Sequence, residues 1–61
     1  MSDRWVKCTD MQGGPSYINL GEALMMHRRM MGGEESTRIL FSGSDVEVRE
    51  TPDQILDLKA L

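Results

Sequence analysis

Cys8 is the only cysteine in a chain of 61 residues, and this narrows the fold more than any other feature. A chain this short buries only about 60 % of the surface its unfolded form exposes. Domains of this size commonly lean on disulfides, a metal or self-association. A lone cysteine forms no internal disulfide, and it suits a reducing, cytoplasmic setting. Cys8 and the only histidine, His27, leave a structural zinc site two ligands short of four. Self-association is the support left open, and no cofactor is expected.

What remains is a core built from alternating strands. Over residues 4–10, Val6 and Cys8 fall on one side and Trp5, Lys7 and Thr9 on the other; period two with β-branched and aromatic residues marks a strand. Gly13-Gly14-Pro15 is turn punctuation. Residues 16–20 form a second strand, with Ile18 and Leu20 joining Val6 and Cys8 and Tyr17 on the other face. Residues 36–42 alternate again, Thr37, Ile39 and Phe41 opposite Arg38 and Leu40. Gly43 turns the chain into residues 45–50, with Val46 and Val48 inward and Glu47 and Arg49 outward. Thr51, Pro52 and Gln54 then spell a helix start. Ile55, Leu58 and Leu61 recur at helical spacing over 52–60. The expectation is one small domain over 1–61, with 1–3 and 60–61 frayed.

The segment "NLGEALMMHRRMMGG", residues 19–33, is ambiguous. Asn19 and Glu22 make a capping box, Gly32-Gly33 could end a helix, and the residues between are good helix formers. Short apolar runs, however, are where helix and strand are most often confused.

The series Gly13-Gly14, Tyr17-Ile18-Asn19, Gly32-Gly33, Thr37-Arg38-Ile39-Leu40-Phe41, Gly43 and Val48-Arg49-Glu50-Thr51-Pro52 resembles a group of very short bacterial proteins. In part it is similar to the FlbD-type small flagellar proteins. The resemblance spans roughly residues 4–56 and rests on structural motifs of low specificity. It implies a strand after Asn19. On that basis Asn19–Glu22 is a tight bend and Ala23 to about Arg29 a third strand, with Leu24 and Met26 inward and Met25, His27 and Arg29 outward. The expected fold is mainly β (α+β): a strongly bent antiparallel sheet or small open barrel of about five strands with a C-terminal helix. The alternative order is β-β-α-β-β-α.

Chemistry is scarce. With Cys8 inward and His27 outward, the one Cys–His couple cannot meet, and a buried cysteine is usually inert. Glu34-Glu35 belongs to an exposed turn. Neither that pair nor Glu47 with Glu50 has the cleft that acid–base catalysis needs. "MQGG" and "MMGG" lack any phosphate-loop frame. No enzyme is expected.

The expectation is instead a non-catalytic protein-interaction or self-association module, a homodimer being one form. Its surface would comprise Trp5, Tyr17, Met25, His27 and Arg29, since exposed apolar side chains mark interaction sites and methionine adapts to partners. The alternative is a small nucleic-acid-binding regulator using Lys7, His27, Arg28 and Arg29, with Trp5 and Tyr17 stacking on bases. The net charge of −3 weighs against it. The charge is uneven, +1 over residues 1–33 and −4 over 34–61, so copies could attract one another. No run approaches the ~20 apolar residues of a membrane span, and residues 1–10 hold no apolar signal core.

Overall fold

Glycine turns set the architecture. The computed structural model describes residues 3–61; the fraying expected at 1–3 falls mostly outside them. β1 (Trp5–Thr9) and β2 (Pro15–Asn19) pair antiparallel, with Val6 opposite Ile18 and Lys7 opposite Tyr17. Asp10 organises the turn between them. Its Oδ1 accepts the N–H groups of Gln12 and Gly14, each at 2.9 Å, and Gly13 supplies the positive φ of 92°.

A second sheet holds β3 (Met25–Met31), β4 (Glu34–Phe41) and β5 (Ser44–Val48), with β4 in the middle. Gly32 and Gly33 have φ of 58° and 84°. Two successive positive φ values define the type I′ hairpin turn, whose twist matches that of its strands. Met31 therefore faces Glu34 directly. Ser42-Gly43 makes the next two-residue turn, with Gly43 at 85°. The sheets meet at one corner, where Asp10 bridges to Val48 and the Arg49 N–H donates to the Thr9 carbonyl at 2.8 Å. They are not closed into a barrel.

Both sheets turn one face to a shared core of Val6, Cys8, Ile18, Ile39 and Val48, completed by Ile55. Ile55 comes from α1 (Pro52–Asp57). Six residues are too few for a helix to persist alone, so its ends are fixed. Thr51 and Gln54 form the reciprocal capping box. At the other end the Arg4 guanidinium donates to the carbonyls of Leu56 and Leu58, each at 2.8 Å.

The mainly β order with a C-terminal helix is as expected, and the second helix of the alternative is absent among the described residues. Of its start signal only a 3-10 turn survives, Leu20–Glu22, with the Asn19 side chain accepting the Gly21 N–H at 3.0 Å. Sheet pairing overrides the helix propensity of the methionine run.

Several details differ from expectation. The third strand starts and ends two residues later than residues 23–29, because the I′ turn lets it run straight into Gly32. Leu24 does not face inward; it is 72 % exposed. Its N–H donates to the Leu40 carbonyl, and Met25 also pairs with Leu40. Two residues opposite one make a β-bulge, which re-aims a side chain. Glu34 and Glu35 belong to β4, not to a turn. Val46 stands opposite Ile39 but keeps 36 % exposure at the sheet margin. The helix stops at Asp57 rather than residue 60, so Leu61 misses the core and is 76 % exposed. Its N–H is nonetheless held, donating to the Trp5 carbonyl at 2.8 Å.

Candidate interaction surface

Strand alternation places the candidate residues on two separate faces. Trp5, Lys7 and Tyr17 lie on the outer face of β1–β2, Lys7 directly beside Tyr17. Trp5 and Tyr17 are about half exposed. Met25, His27 and Arg29 lie on the outer face of β3, in one row with Met31. Each sheet turns its inner face to the common core, so the two groups do not merge into one five-residue site.

The second face is a charge ladder with apolar ends. His27 pairs with Arg38 and Arg38 with Glu47 across the strands. Arg29 reaches the Glu47 carboxylate at 3.7 Å, and Arg38 reaches Asp45 at 3.4 Å. Glu47 also accepts the buried Ser36 hydroxyl at 2.7 Å. Met25 and Leu40 flank the ladder at one end, Met31 at the other.

Arg28 points to the opposite face from Arg29 and holds Glu35 at 2.6 Å. Lys7 is on the other sheet. The four residues of the nucleic-acid alternative are thus divided among three faces, with both arginines already paired to carboxylates.

A cleft of about 320 Å³ opens beside the start of β3, lined mainly by Leu20, Ala23, Leu24, Met26 and Leu56 with Arg4 at one side. The guanidinium there donates through one nitrogen to the helix carbonyls. The sequence did not mark this cleft, because Leu24 becomes a wall only through the bulge. Leu56, next to the core-facing Ile55, carries no local signal either.

Cys8 is 1 % exposed. Burial pushes its thiol up to about 11, and the nearby Glu50 carboxylate adds to the effect. Such a thiol is protonated at neutral pH and a poor nucleophile. Glu50 accepts the Thr9 N–H at 2.8 Å, and its carbonyl accepts the buried Thr37 hydroxyl at 2.6 Å. Glu47 and Glu50 therefore serve as joints between strands. Among the described residues, no three His, Cys, Asp or Glu side chains cluster closely enough to hold a metal. No helix among them is long and apolar enough to cross a membrane. No family model, no curated protein and no solved structure matches this chain.

Proposed function

We propose that this protein is a non-catalytic interaction module whose exposed apolar side chains are covered by another protein surface. One observation carries the reading. Leu24, Met25, Met30 and Met31 are all more than half exposed, and all belong to one strand and its bulge. A 61-residue fold with so few core residues gains from burying them, and because Met25 and Met31 lie on one face of β3 and Met30 on the other, the surface that covers them would run along the strand. The buried, protonated thiol suits a module of the reducing cytoplasm. The likeness to FlbD-type proteins supplies no mechanism, and a flagellar role forms no part of the proposal.

The test is capture with tagged wild type and tagged Met25→Glu, each with and without nuclease, read by mass spectrometry. A protein partner that survives nuclease and is lost with Met25→Glu supports the reading. Retention lost to nuclease in both would replace it with nucleic-acid binding, where phosphate contacts weaken steeply with salt.

A further inference from the structure

The segment from Met25 to Met31 reads MMHRRMM, and its apolar ends are symmetric about Arg28. The strand it forms has one open edge. Because the narrow pair at the I′ turn is Met31 with Glu34, the odd residues of β3 bond to β4 and the even ones turn their N–H and C=O outward. Arg28 is the middle of these even residues. The other edges are less open. On β1 the outer edge is engaged at Trp5 by Leu61 and at Thr9 by Arg49 and Glu50. β2 begins with Pro15, which has no N–H to offer. β5 presents Asp45 and Glu47 and is tied through Arg49 to Thr9.

Resting on the interaction reading above, we infer that β3 pairs with β3 of a second copy, antiparallel and two-fold about Arg28. The result is a continuous six-stranded sheet, β5-β4-β3-β3-β4-β5. A two-fold interface requires a surface complementary to itself, and this register provides one. Met25 opposes Met31 of the second copy on the outer face, and Met26 opposes its Met30 on the inner face. Each apolar pair occurs twice. His27 opposes Arg29, and Arg28 opposes its own equivalent. The central arginines arrive neutralised, Arg28 by Glu35 and Arg29 by Glu47 within each copy, so the meeting patches carry no net positive charge from these four groups. Strand addition of this kind draws affinity from main-chain hydrogen bonds and register from side chains.

The experiment measures mass by sedimentation equilibrium from micromolar to millimolar protein, in four variants beside wild type. The monomer is 6.9 kDa. Wild type should approach twice that mass. Met25→Glu and Met31→Lys should each weaken association at least about tenfold, because each opposes a charge to an apolar side chain. The double variant Met25→Glu/Met31→Lys should recover it, since the two new charges meet only across the two-fold. Within one copy they stand at opposite ends of the strand. Arg28→Pro removes an outward N–H that β4 does not use, and should give a monomer with an unchanged circular dichroism spectrum. A wild type that stays at 6.9 kDa at millimolar concentration overturns self-pairing while leaving a captured partner to support the interaction reading. A dimer that survives Arg28→Pro, or is not restored in the double variant, overturns the edge and register.

Discussion

Cys8 concentrates the contrast between chemistry and structure in this chain. A thiol with 1 % exposure in a core of six side chains is a packing group. Its raised pKa gives a signed prediction. Folding favours the neutral thiol, so the stability linked to it is complete below about pH 9 and is lost as pH climbs toward about 11. The melting temperature of wild type should fall across that interval more steeply than that of Cys8→Ala, measured side by side so that every pH effect the two share cancels. Native protein at pH 8 should react with iodoacetamide far more slowly than protein in denaturant, as followed by mass spectrometry. The inward position of Cys8 was readable from period two alone, whereas the outward position of His27 followed only from the strand that the resemblance implied. The role of Glu50 was not readable, because its contact with Thr9 spans 41 residues and no local pattern reports it.

Turn chemistry carried most of what the sequence says about the elements. Gly43, Gly13 and the Thr51-Pro52-Gln54 start were legible because each has one mechanical meaning. Gly32-Gly33 has two, helix terminator or I′ turn, and this is why the limits of β3 were not readable. The I′ geometry predicts unequal tolerance. Gly33→Ala should cost about 1–2 kcal/mol in chemical denaturation, from the left-handed backbone alone, since an added Cβ meets nothing within 4 Å. Gly32→Asn should be near neutral, because asparagine accepts that conformation and Asn-Gly is the favoured I′ pair. Thr51→Ala should cost about 1 kcal/mol by removing the capping box from a helix only six residues long. The bulge at Leu24 lies beyond any local rule. It depends on where Leu40 falls across the hairpin.

At the scale of the molecule, stability rests on few side chains. A 61-residue domain at typical stability holds about 3–9 kcal/mol. Ile55→Ala, which empties the helix's one buried position, should remove about 2–5 kcal/mol of it and leave the isolated chain close to unfolding in a thermal melt. Binary patterning showed which side of the first hairpin is wet, correctly for Trp5 and Tyr17, while the outward sides of Met25 and His27 came only with the strand that the resemblance implied. It could not show that these fall on two sheets with the core between them, because the fold over the Asp10–Val48 corner is a tertiary event. The surface that emerges is the edge and outer face of β3. Amide hydrogen exchange by NMR, resolved over residues 24–31 at two protein concentrations, tests that most directly. Protection of His27 and Arg29 is expected at both concentrations, with Arg28 and Met30 fast when dilute and slowed when concentrated. Unbroken protection across the segment, or fast exchange at Arg28 and Met30 regardless of concentration, would contradict it.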